Sequence, residues 1–91
     1  MKNAYVPPVA PTTVLAVGTV TESMWSGFRV PVVILKVVPV KGWMGVEYRV
    51  RYTGPRKCLD LGLNWYASPG DEFSTRQVNI DRAAEIKAAG Y

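Results

Sequence analysis

The stretch Gly45–Thr53, GVEYRVRYT, restricts the fold of this chain more than any other. Val46, Tyr48, Val50 and Tyr52 alternate with Glu47, Arg49, Arg51 and Thr53. Successive side chains of an extended chain point to opposite faces. One face therefore carries valines and tyrosines, and the other a carboxylate, two guanidiniums and a hydroxyl. β-Branched and aromatic residues suit a pleated, half-buried surface. The pattern predicts a strand in a sheet that is wetted on one side, as antiparallel sheets commonly are.

The segment before it, Arg29–Val38 (RVPVVILKVV), is a nearly unbroken β-branched run and predicts a buried strand. Pro31 puts the start of that strand at an edge or at its point of entry into the sheet, and Pro39 ends it. Lys41–Gly45 has the glycines of a short hairpin loop, so residues 30–38 and 45–53 are expected to pair antiparallel.

The rest of the chain reads as shorter pieces. Residues 1–11 contain three prolines and predict an extended arm, with Tyr5 and Val6 as its anchors. Thr12–Thr21 predicts a strand bent at Gly18. Glu22–Phe28 predicts a loop carrying large side chains, with Ser26-Gly27 as its turn. Cys58–Tyr66 alternates, which predicts a third strand paired to the second, with Leu59, Leu61, Leu63 and Trp65 inward. Ser68–Asp71 is a turn with Pro and Gly where a turn uses them. Glu72–Val78 predicts a last short strand with Phe73 and Val78 inward. Asn79–Ala89 predicts a helix, capped by Asn79, with Asp81 in its first turn, Lys87 in its last and Gly90 just beyond. Its apolar face would be Ile80, Ala83, Ala84 and Ile86.

Together these elements predict a mainly β, small α+β domain over residues 12–91, preceded by the arm. The architecture expected is a bent antiparallel sheet or a small SH3- or OB-like barrel of about four or five strands with a short C-terminal helix.

Composition limits what such a domain can do. There is no histidine and a single cysteine, Cys58. The commonest acid/base at neutral pH is therefore missing, as are the usual zinc-ligand sets. The glycines fall between strands rather than before a helix, so no phosphate-cradling motif is present. The expectation is a non-enzymatic protein with no cofactor and no metal. A lone cysteine also argues against a disulfide scaffold and for a reducing, cytoplasmic setting. No secretory leader and no membrane span is read from the sequence.

Charged residues make up only 20% of the chain, below the usual share of about 25%, which leaves apolar surface for a partner. Met24-Trp25, Phe28 and Trp43-Met44 in loops, with Tyr5 in the arm, are the expected contacts of a protein-binding inhibitor or accessory subunit that self-associates as a dimer. The net charge of +4 supports an alternative. Lys41, Arg49, Arg51, Arg56 and Lys57 with Tyr66 are the ingredients of a nucleic-acid-binding face. A third reading is capture of a small anion such as a nucleotide at a subunit junction.

Overall fold

The computed structural model describes residues 14–40 and 45–90, and within them the chain is mainly antiparallel β with one helix. The strands are β1 (Val20–Trp25), β2 (Phe28–Pro39), β3 (Val46–Tyr52), β4 (Lys57–Asp60), β5 (Trp65–Ala67) and β6 (Glu72–Arg76), followed by helix α1 (Gln77–Ala88). Four strands form one sheet in the order β1-β2-β3-β6, and β4 and β5 form a separate two-stranded ribbon. The sheet does not close into a barrel.

The expected hairpin is present. β2 and β3 pair antiparallel from Val32 with Tyr52 to Pro39 with Val46. Val30, Val32, Ile34, Tyr48, Val50 and Tyr52 are buried together, which is the inner face that the alternation of β3 predicts. Pro31 lies just past the last β2–β3 register pair. A residue without an N–H is tolerated there because the ladder on that side has ended. Its carbonyl still accepts from Thr53 N at 3.1 Å.

A register shift between Ile34 and Lys36 leaves Leu35 as an extra residue on β2. Before the shift the even-numbered residues face inward, and after it Val37 stands opposite Tyr48. Lys36 is thereby turned outward, to stand opposite Arg49. Without the extra residue, strict alternation would send Lys36 to the side of Ile34 and Val32, where a lone ammonium is costly.

Several boundaries differ from those expected. The first strand begins at Val20, after a turn at residues 17–18 in which Gly18 takes φ +90°. Gly18 N and Thr19 O still bond to Ile34 O and N, at 2.7 and 3.0 Å. Glu22–Trp25 is strand rather than loop. Only Ser26 and Gly27 make the turn, with φ of 50° and 82°, and Trp25 pairs directly with Phe28. Two consecutive residues at positive φ give the tight hairpin turn whose twist matches the strands it joins.

The stretch Cys58–Tyr66 is not one strand. Asp60 Oδ1 accepts from Gly62 N at 2.9 Å and Leu63 N at 3.2 Å, and Asn64 takes φ 53°. An aspartate that bonds the backbone ahead of it closes a turn, so the chain reverses there and β4 pairs with β5. Leu59 is buried, but Leu61 and Leu63 are exposed. The second partner of β3 is therefore β6, with Val50 opposite Phe73 and Tyr48 opposite Thr75.

The helix starts two residues earlier than predicted. Its N-cap is Arg76, which makes no side-chain cap bond, and no acidic residue lies in the first turn. Asn79 sits inside the helix, where its Nδ2 donates to Thr75 Oγ1 at 3.1 Å. Val78 is exposed on the helix rather than inward on a strand, and Ala84 is exposed as well. Lys87 does lie in the last turn, and Gly90 follows with φ +89°. Ile80 and Ala83 are the buried residues. Helix α1 leaves β6 at one edge of the sheet and makes most of its contact with β1 at the other.

Two hydrogen-bonded clamps hold this layer. Tyr48 Oη donates to Gln77 Oε1 at 2.7 Å and accepts from Leu15 N at 3.1 Å. The buried hydroxyls of Ser23 and Thr75 meet at 2.8 Å. Buried polar groups of this kind need such partners.

The inner face is thus covered by α1, which adds Ile80 to the core, and by the β4–β5 ribbon, which adds Leu59 and Ala67. The register sets Glu22, Met24, Arg29, Lys36, Glu47, Arg49, Arg51, Glu72, Ser74 and Arg76 on the opposite, outer face, together with Val20, Pro31, Val33 and Val38.

Candidate binding surfaces

The residues expected to form a binding knob are divided between interior and surface. Trp25 is on the inner face of β1 and only partly exposed. Its ring stacks on Phe73 at 4.0 Å between centroids and 10° between planes. It also meets Trp65 edge-on at 5.2 Å and Tyr52 at 6.1 Å. Offset-stacked and edge-to-face contacts are the favourable arrangements of such rings. The cluster joins the ribbon to the sheet, so Trp25 works as an internal rivet.

Phe28 lies at the rim of this cluster, beneath the ammonium of Lys57, 4.8 Å from the ring centroid. Met24 is on the outer face of β1, opposite Arg29, and is half-buried. Tyr5, Lys41, Trp43 and Met44 lie outside the described residues.

The cations expected to form one basic face occupy two places. Arg49 and Arg51 are exposed on the outer face of β3. Lys57 opens the ribbon, which packs on the inner side of the sheet, and Arg56 immediately precedes it. The Arg56 guanidinium lies 4.2 Å over the Tyr66 ring. Cation–π contacts hold Arg56 and Lys57 against rings, apart from the arginines of β3. Cys58 is half-buried, opposite Tyr66 in the ribbon.

Two features depart from the sequence-based expectation, which puts Leu61 and Leu63 inward and gives Lys36 no role. The first is the ribbon tip. Leu61 is 83% exposed and Leu63 is 77% exposed, more than any other large apolar residue among those described. Their backbone is held by Asp60, so the two side chains stand on a defined turn rather than a loose loop. The second is Lys36, which the bulge brings beside Arg49. A lysine inside a β-branched run was the available signal for that irregularity. For the leucines the available signal was Asp60-x-Gly62, which reads equally well as a turn.

Electrostatically the outer face is mixed. Glu72 bridges the arginines, with Arg49 Nε 3.7 Å from Oε1 and Arg51 Nη2 3.6 Å from Oε2. Arg49 Nη1 also lies 3.4 Å from Ser74 Oγ. Nearer β1, Glu22 Oε1 is 3.6 Å from Arg29 Nη1 and 3.9 Å from Lys87 Nζ. Arg29 Nη1 is buried, with no hydrogen bond among the described residues, and has Glu22 as its ion-pair partner. The two Glu72 pairs and the Glu22–Lys87 pair are solvent-accessible, each worth about 0.2–1 kcal/mol. They set the positions of side chains more than they stabilise the fold.

Among the described residues no three His, Cys, Asp or Glu side chains gather where they could hold a metal ion. No described helix is long and apolar enough to cross a membrane. No known protein family, curated protein or solved structure matches the chain.

Proposed function

We propose that this chain is a non-enzymatic protein-binding module, an inhibitor or accessory subunit in type, that docks through the tip of its β4–β5 ribbon. One observation carries the reading: Leu61 and Leu63, at 83% and 77% exposure, project from a turn whose backbone Asp60 already fixes. Single exposed leucines are ordinary on a protein surface. Here two stand close together on the turn that joins β4 to β5, where polar residues would make the same turn at no cost in solvation.

Full burial of a leucine side chain is worth about 1.5–3 kcal/mol, so the pair supplies roughly 3–6 kcal/mol to an apolar pocket. A turn that is ordered before binding loses little further freedom on docking. Trp65, 37% exposed beside the tip, adds an aromatic of the kind enriched at interface centres. The partner is a protein with an apolar cleft wide enough for a two-stranded hairpin.

The test is affinity capture with wild-type protein and with the double variant Leu61→Ser, Leu63→Ser, combined with sedimentation of both. The variant should keep its melting temperature, because neither leucine packs in the core. It should lose the specific partners that the wild type retains. If the partner is a second copy of the chain, the variant sediments as a monomer where the wild type is a dimer. Identical capture and identical sedimentation of the two proteins would refute the proposal.

A further inference from the structure

The outer face of the sheet is a second surface, on the side away from the core and the ribbon. Arg29, Lys36, Arg49, Arg51 and Arg76 share it with Glu22, Glu47 and Glu72, so cations outnumber carboxylates. The densest part is a row across β2 and β3. Lys36 stands directly opposite Arg49, and Arg51 follows two residues along the same strand, at a rise of about 7 Å.

Two structural details set this row apart from a scatter of solvated charges. Lys36 belongs to it only because the bulge at Leu35 re-aims the strand, a use bulges commonly have near functional sites. Glu72 also reaches between the two guanidiniums, with one oxygen toward each. A carboxylate paired at 3.6 and 3.7 Å with two arginines occupies the position a phosphate would take, since both anions attract and match guanidinium groups.

We propose that this outer face binds the phosphodiester backbone of duplex nucleic acid. Lys36, Arg49 and Arg51 are the phosphate contacts, and Glu72 is a built-in competitor that must be displaced. The aromatic residues of β1, β2, β3 and β6 argue for a duplex over a single strand. Trp25, Phe28, Tyr48, Tyr52 and Phe73 all fall on the inner register of these strands. Single-strand binding relies on rings on which bases stack, and these strands turn none outward. Recognition is therefore of the backbone, independent of sequence. The site is separate from the ribbon tip and does not depend on the reading given to it.

Three phosphate contacts give a salt slope of about −2.7 on duplex DNA, or about a 40-fold loss of affinity between 50 and 200 mM salt. The experiment is fluorescence anisotropy with a labelled mixed-sequence DNA duplex, and with one of its strands alone. The wild type should bind the duplex more tightly than the single strand, with that salt dependence. Arg49→Gln with Arg51→Gln should weaken binding and flatten the slope by about 1.8. Glu72→Gln should tighten binding about fivefold, because it removes two exposed ion pairs that compete with phosphate. Circular dichroism spectra matching the wild type are required of both variants, so that a change in binding is not mistaken for a loss of fold.

The proposal fails if the duplex is not bound at 50 mM salt with protein at about 100 μM, the weak end of non-specific binding. It fails if the single strand is preferred. It also fails if neither the arginine pair nor Glu72→Gln moves the binding curve.

Discussion

Replacing Trp25 with alanine should remove a large part of this protein's stability margin rather than trim a surface contact. The ring stacks on Phe73 at 4.0 Å, meets Trp65 at 5.2 Å and lies 6.1 Å from Tyr52. Those residues belong to β6, β5 and β3, so the truncation loosens three elements at once. Aromatic-to-alanine changes in cores cost about 3–5 kcal/mol. Trp25 is partly exposed, which places the cost near the low end, about 3 kcal/mol. A chain of 91 residues has a total stability of about 5–14 kcal/mol, so the loss is a substantial fraction of it. For a domain this small it corresponds to a fall in melting temperature of about 12–24 °C. Trp25→Phe keeps a ring over Phe73 and should recover more than half of that. The assay is thermal and urea unfolding followed by circular dichroism, with the urea midpoint falling at unchanged slope. If Trp25→Ala melts within about 4 °C of wild type, less than the shift expected for 1 kcal/mol, the ring is not a rivet between ribbon and sheet.

Other substitutions probe the remaining joints. Gly54→Ala would place a Cβ 2.6 Å from Tyr52 Oη and 2.8 Å from its Cζ. Tyr52 is buried and its hydroxyl is committed to Pro55 O, so the ring has little room to yield. Unfolding midpoints should report a loss of about 1–3 kcal/mol, with no rescue by Tyr52→Phe because the clash with Cζ persists. Tyr48→Phe removes the donor to Gln77 and the acceptor for Leu15 N. Stability should fall by about 1–2 kcal/mol, and the Leu15 amide should exchange faster with solvent; an unchanged exchange rate would contradict that clamp.

The central hairpin was legible because two independent signals agreed. The alternation of Val46–Tyr52 fixed which side chains are buried, and the β-branched run before it named the partner strand. The turn at Ser68–Asp71 was legible for the same kind of reason: Pro69 and Gly70 each suit one position of it, and Gly70 has φ +94°. What misled was periodicity without its boundaries. Leu59, Leu61, Leu63 and Trp65 alternate perfectly, yet Asp60 folds its carboxylate onto Gly62 N and Leu63 N and ends the strand. A local side-chain bond of this sort competes with a ladder, and alternation does not reveal it. At Glu22–Trp25 the error ran the other way. Met24 and Trp25 looked too large for a loop because they are strand residues facing opposite sides of the sheet.

The candidate site was legible only in part, for a related reason. Arg49 and Arg51 were placed together by their spacing within one strand. Arg56, Lys57 and Tyr66 were not, because sequence proximity gave no hint that the ribbon would pack on the inner side, with Leu59 and Ala67 in the core. Lys36 joins Arg49 through a bulge, a tertiary event that period-two reading cannot reach. Leu61 and Leu63 were hidden by being counted as core.

The most direct measurement is methyl NMR in the presence of a paramagnetic solvent probe, made on the dilute wild-type protein. Val30, Val32, Ile34 and Val50 should be almost untouched, because the helix and the ribbon cover them. Leu61 and Leu63 should relax as strongly as any methyl among the described residues. Protection of both leucines at the level of Val50 would mean that the ribbon tip is folded away, and that the surface assigned to binding does not exist.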